Sequence, residues 1–179
     1  TRRIVSAMAE HYAGHPHVVA WQIDNEFGCH DSTRCYCPEC RDAFAAWARG
    51  RYDWLAVLNE VWGTAFWSQT YTDWDQVPLP WASTGVSNPA LELDFYRFAS
   101  DQMVAYQQIQ IDALRAADPS CRVTTNLMGF GFDTIDYYNL ARPLDFVSWD
   151  NYPLYGPLNP VGTALSHDGM RGFKNAPFW

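Results

Sequence analysis

The chain has 179 residues and a net charge of −8, with twelve lysines and arginines against twenty aspartates and glutamates. That length is enough for one well-buried core, and the acidic balance disfavours nucleic acid as a partner, since phosphate backbones demand a basic surface. No run of about 18 apolar residues is present, so no helical membrane span is expected.

Aromatic residues are abundant, with nine Trp, ten Tyr and ten Phe. A large aromatic core accounts for most of them, and a few could line a sugar site, because small-ligand clefts combine aromatic walls with a few placed polar groups. The chain opens directly in a helical pattern and stops at Phe178-Trp179 as a strand begins. We therefore expect a segment of a larger protein.

In chain order, Ile4, Val5, Met8 and Tyr12 at helical spacing predict a helix from Arg2 to Gly14. His15-Pro16-His17 is read as a turn, with a metal-binding pair as the less common alternative. The stretch from Val18 to Gly28 predicts a strand running into a loop. Strand alternation puts Val19, Trp21 and Ile23 on one face and Gln22, Asp24 and Glu26 on the other. Strands of parallel sheets buried on both faces are apolar throughout, so a polar face implies a polar cavity.

Pro38 is expected to open a helix to about Arg51, with Phe44 and Trp47 on its buried stripe. Asp53 is expected to cap a second helix from Trp54 to Trp62, closed by Gly63. Residues 64–88 show no sustained period and are read as a long functional loop.

Pro89 opens the longest helix, to about Ala117, on a stripe of Leu91, Phe95, Phe98, Gln102, Tyr106, Ile109, Ala113 and Ala116. Arg122 to Leu127 predicts a second strand, and Thr134 to Ala141 a short helix. Asp145 to Tyr152 predicts a third strand, ended by Pro153 and a Gly/Pro-rich loop. His167 to Lys174 is read as a last short helix, and Pro177 to Trp179 as the start of a fourth strand.

Alternating strands and helices at this spacing imply parallel βα units. A complete (β/α)₈ barrel needs about 250 residues, so the expected fold class is α/β, a segment of a (β/α)₈ TIM barrel. A doubly wound open sheet is the runner-up, but no glycine-rich phosphate loop follows any strand. All three strands turn polar near their carboxyl ends, at Asp24-Asn25-Glu26, Asn126 and Asp150-Asn151-Tyr152. In a barrel those ends converge on one mouth, where the chemistry sits.

Glu26 is the candidate general acid/base. Glycoside hydrolysis takes two carboxyl groups, one protonating the leaving oxygen and one acting at the anomeric carbon. The donor must be protonated near neutral pH, which burial or a second carboxylate can arrange. The competing reading makes Glu26 a helix-cap or surface carboxylate. Cys35, Cys37 and Cys40 form C-x-C-x-x-C, which suits a structural tetrahedral zinc with sulfur ligands. Cys29 is in reach as a fourth ligand, unless that ligand lies outside this chain. A Cys37-Cys40 redox pair or free structural thiols are the alternatives. Cys121 stands alone and is read as a buried thiol.

The stretches WQIDNEFGCH, CYCPEC, LNEVWGTAFWSQTYTDW, TTNLMG and SWDNYP, followed by HDGMRGFKNAPFW, are similar to those of glycoside hydrolase family 42 β-galactosidases. The resemblance covers nearly the whole chain. It implies a retaining enzyme of the clan A (β/α)₈ barrels, with this chain spanning about strands 4 to 6 and the start of strand 7. Residues 1–179 would form a partial catalytic barrel domain with a zinc/cysteine loop at about 29–40.

By that resemblance Glu26 is the acid/base, Asn25 binds the sugar 2-hydroxyl, and Tyr152 lies near the nucleophile. Cys35, Cys37 and Cys40 match zinc ligands whose fourth partner comes from earlier in the barrel. The family is often trimeric, with a tryptophan from the long loop capping a neighbour's site, and Trp67 is its match. The implied substrate is a β-galactoside and the implied location cytoplasmic, with neither nucleic acid nor membrane as partner. The family's nucleophilic Glu follows the motif seen here as APFW, a few residues past Trp179, so this polypeptide alone is expected to be inactive. A non-catalytic carbohydrate-binding module, an inert fragment and another clan A β-glycosidase remain the alternatives.

Overall fold

Helix α1, Arg2–Tyr12, lays Val5 and Ala9 against the strands. This corrects the expected stripe: Ile4, Met8 and Tyr12 are exposed, and the buried line runs one residue further round the helix. The computed structural model describes residues 1–80, 87–152 and 159–179. They form two compact units, residues 1–33 with 101–179, and residues 34–100. Among the described residues no helix is long and apolar enough to cross a membrane.

The first unit is built on short parallel strands. β1, Trp21–Gln22, pairs with β2, Val123–Thr124, in the register Trp21 to Val123. β3, Asn126–Leu127, pairs with β4, Ser148–Trp149, in the register Asn126 to Ser148. The predicted second strand is thus interrupted at Thr125, and its two halves serve different neighbours. Ser148 Oγ donates to the Thr125 carbonyl at 2.9 Å and bridges the break. Beyond β4, Trp179 N donates to Val147 O at 2.8 Å and Trp149 N to Trp179 O at 3.1 Å. Parallel pairing therefore continues into the expected fourth strand.

The first strand is shorter than predicted. Val19 is 71 % exposed, and regular pairing ends with Ile23 N donating to Thr124 O at 2.9 Å. Asp24 and Glu26 then take positive φ values of 42° and 46°. Two left-handed residues, one apart, destroy the alternation on which the polar-face argument rested.

Helices close the unit. α4, Pro89–Ala117, contributes its residues from Asp101 onward. α5, Tyr137–Ala141, starts later than expected, where the Asp136 carboxylate accepts from the Tyr138 and Asn139 amides. α6, Pro160–Lys174, starts well before the predicted His167, with Asn159 Oδ1 accepting from Gly162 N at 2.9 Å and Pro160 in the first turn. The Gly/Pro-rich stretch expected after Pro153 lies outside the described residues as far as 158. One core gathers Ile23, Ile111, Leu114, Val123 and Leu144. Another gathers Leu127, Leu140, Val147 and Met170.

The second unit packs three helices. α2, Pro38–Tyr52, and α3, Leu55–Trp62, flank the first part of α4 around Phe44, Leu58, Trp62, Phe95 and Phe98. Gly63 ends α3 in the left-handed conformation, as expected. Asp53 does not cap α3. Its own φ of 54° ends α2, and Trp54 occupies the N-cap position with no side-chain hydrogen bond. The long loop contains 3₁₀ turns at Phe66–Ser68 and Trp74–Gln76, with residues 81–86 outside the described part.

Candidate active site

Three strand ends meet at Asn126. Its side chain is 7 % exposed, so its amide must find partners inside the protein. Oδ1 accepts from Gln22 Nε2 at 3.1 Å and from the Glu26 backbone N–H at 3.2 Å. Nδ2 donates to Asn25 Oδ1 at 3.0 Å and to Asp150 Oδ2 at 2.9 Å. Asn126 thus fills its two donor and two acceptor positions and links β1, β3 and the residue after β4.

Glu26 is half-buried on the loop that follows β1. One carboxylate oxygen accepts from Asn25 Nδ2 at 3.2 Å. The Asp24 carboxylate accepts from the Asn25 backbone N–H at 3.0 Å and stabilises the turn. Gly28 continues the loop with φ at +84°, and a Cβ there would stand 2.5 Å from Thr33 Oγ1. Only glycine satisfies both conditions. A cleft of about 360 Å³ opens beside the loop, lined by Asn25, Glu26, Ser32, Met103 and Tyr106 among others.

The Cys29 thiol lies beside the Glu26 carboxylate. Burial first, and then the charge and hydrogen bond of Glu26, push this thiol above its ordinary range. Burial also raises the Tyr137 hydroxyl, with the Glu26 charge adding to it, although the Met128 N–H donated to its oxygen works the other way. Neither neighbour was legible in the sequence. Tyr152 lies two residues beyond Asp150 and is 61 % exposed. Trp67 sits in the 3₁₀ turn Phe66–Ser68 of the second unit, and its side chain lies outside the described part of the structure.

In the second unit, the sulfurs of Cys35, Cys37 and Cys40 lie within 4.8 Å of one another. Zinc–sulfur bonds of about 2.3 Å set tetrahedral sulfurs about 3.8 Å apart. The three thiols therefore fit three corners of such a site. Cys37 is the N-cap of α2 and Cys40 stands in its first turn, so a bound ion would tie the loop to the helix start. Burial, and then the neighbouring thiols, push Cys40 up to about 12, while the Cys37 backbone N–H is the main group lowering Cys35. Cys29 is not part of this group among the described residues.

A model of the Glyco_hydro_42 family, described as beta-galactosidase, matches residues 1–179. The chain belongs to glycoside hydrolase family 42. Among its family relatives, a beta-galactosidase of Thermus thermophilus is 46 % identical over 99 % of this chain. The solved beta-galactosidase of Halorubrum lacusprofundi superposes with a TM-score of 0.92 at 41 % identity, covering 99 % of this chain and 29 % of that one. That of the psychrophilic Marinomonas ef1 gives 0.91 at 37 % identity, covering 99 % and 30 %. These neighbours are TIM barrels of the family, which accounts for the mixed helices and parallel strands seen here. The chain spans about 30 % of the length of the Thermus relative.

Within the family's fold, the polar strand ends expected from the sequence at Glu26, Asn126 and Asp150 are brought into one hydrogen-bonded cluster. Asn25 belongs to it as well.

Proposed function

We propose that this chain is the part of a retaining β-galactosidase barrel that carries the general acid/base, Glu26. What supports the reading most is the convergence of three parallel strand ends on the Glu26 loop through Asn126. In a barrel, such a convergence marks the catalytic face. The segment corresponds to about strands 4 to 6 with their helices and the start of strand 7, within one partial catalytic domain.

In this mechanism Glu26 protonates the glycosidic oxygen as the leaving sugar departs. A second carboxylate, from a part of the whole protein beyond this chain, attacks the anomeric carbon and forms the glycosyl-enzyme. Glu26 then takes a proton from water, which releases galactose with retention. Asn25, held beside Glu26, binds the 2-hydroxyl, and Tyr152 lies near the nucleophile. Cys35, Cys37 and Cys40 would hold a structural zinc that pins the loop to the start of α2 and takes no part in the chemistry. The whole protein is a trimer in which Trp67 covers a neighbour's site.

In the full-length protein, Glu26→Gln is expected to lower kcat/KM on an unactivated galactoside by about 10²–10⁴-fold, the usual contribution of a general acid. An aryl galactoside with a good leaving group should be far less affected, because its departure needs little protonation. Near-normal turnover of the unactivated substrate would reject the role.

A further inference from the structure

The cluster fixes the direction of its amides. The Glu26 backbone N–H can only donate, so Asn126 must turn Oδ1 toward it, which leaves Nδ2 to donate to Asp150 Oδ2. With Nδ2 so placed, Asn25 must present Oδ1 to Asn126 at 3.0 Å. Its own Nδ2 is then aimed at the Glu26 carboxylate, 3.2 Å away. A reversed amide at either position would set oxygen against oxygen, or N–H against N–H, around the buried Asn126 side chain. Gln22 Nε2 adds to the Asn126 oxygen in the same sense.

We propose that Asn126 is a positioning residue for the acid/base, with Asp150 setting its orientation, so that Asn25 always offers its N–H to Glu26 and never its carbonyl. This rests on the assignment of Glu26 as acid/base. Asn126 touches neither the scissile bond nor the proton in flight. It acts by holding the Glu26 backbone at its positive φ and by keeping the Asn25 amide from turning over. A carboxyl group with the Asn25 N–H fixed on one oxygen, and only the weak Cys29 S–H donor beside it, can keep an oxygen aimed at the leaving group. Misplacement on the order of 1 Å can cost about 10²-fold in rate.

The test is Asn126→Asp in the full-length enzyme. The shape is kept, and so is the oxygen that accepts from Gln22 and the Glu26 N–H. The group facing Asp150 and Asn25 becomes an oxygen, which repels Asp150 and turns the Asn25 amide so that its carbonyl faces Glu26. The expected result is a loss of about 100-fold in kcat/KM on an unactivated galactoside and less than about 5-fold on an aryl galactoside with a good leaving group. Adding Asp150→Asn restores an N–H to carboxylate pair between the two positions, but leaves the Asn25 amide turned.

The double variant should therefore recover the thermal stability of the parent while keeping the selective loss. Should Asn126→Asp alone fail to fold, the double variant decides by itself. Recovery of activity together with stability would show a purely structural pair and overturn the proposal. So would equal losses on the two substrates, or no loss. Glu26→Gln in the same assay separates the two readings. If it spares the unactivated substrate, the acid/base assignment fails. If it removes that activity while Asn126→Asp acts on both substrates alike, only the positioning role fails.

Discussion

A buried carboxylate is tolerable only when its oxygens are engaged, and Asp94, at 1 % exposure, meets that condition. Trp62 Nε1 donates to one oxygen at 2.9 Å, the Tyr52 hydroxyl donates to the same oxygen, and Arg97 Nη1 reaches the other at 3.0 Å. Burial, and then the bond to Asp94, raise the Tyr52 hydroxyl above its ordinary value of 10.0. A group whose folded pKa is raised holds its proton more tightly when folded. Its contribution is complete below about pH 10 and is lost as pH rises through the folded value. Urea unfolding between pH 8 and pH 11 should therefore show falling stability, with a shallower fall in Tyr52→Phe. At pH 8 that variant should be less stable by about 1 kcal/mol. An unchanged slope would mean that other tyrosines carry the dependence. Unlike Asp94, the candidate site was largely legible in the sequence: Asn25, Glu26, Asn126 and Asp150 stood out as polar strand ends. What escaped is local. Positive φ at Asp24 and Glu26 turns the loop so that Cys29 meets Glu26, and period-two counting cannot see such a turn.

Helices were the most legible elements, because their caps and stops are written in single residues. Pro38, Gly63 and Pro89 mark boundaries that the structure keeps. α4 shows where the pattern failed. Its stripe runs as expected through Leu91, Phe95 and Phe98, but further along Gln107, Gln110, Ile111 and Leu114 are buried, while Gln102 and Ala116 are exposed. The helix serves a different core in each unit, and a single period through its 29 residues cannot follow both. α6 was foreshortened for a related reason. Its glycines dilute the helical pattern, yet at Gly169 a Cβ would stand 1.9 Å from Phe130 Cζ, so any side chain there requires the exposed Phe130 ring to shift. The element most exposed to test is α2, through Phe44. This ring is fully buried, stacked on Trp62 at 6.2 Å and set edge-on to Phe95 at 5.6 Å. Phe44→Ala should lower the unfolding free energy by about 3–5 kcal/mol. Trp54→Ala, at a ring 74 % exposed, should stay within about 0.5 kcal/mol. Similar losses for the two in chemical denaturation would contradict the core drawn around Phe44.

At the scale of the whole chain, the alternation of strands and helices announced parallel βα units, but nothing in it announced two compact units. Residues 34–100 form the second one, and it has its own apolar core in Phe44, Leu58, Trp62, Leu79 and Phe95. A unit with such a core should not depend on metal to fold, in contrast to small zinc domains. Removing zinc should therefore act locally. In the zinc-loaded full-length protein, a chelator is expected to speed amide exchange in residues 34–44 by about tenfold or more, as the first turn of α2 frays. The reporting amide is Arg41, whose N–H donates to Cys37 O at 3.1 Å. Exchange at Phe95 and Ile111, which sit in the cores of the two units, should hardly change. Ligation also requires thiolates, and the Cys40 thiol is pushed up to about 12. Metal entry must displace that proton, so apparent affinity should rise with pH and chelation should be easier in mild acid. Loss of protection throughout the chain would make zinc a condition of folding, and no change at residues 34–44 would remove the metal site altogether.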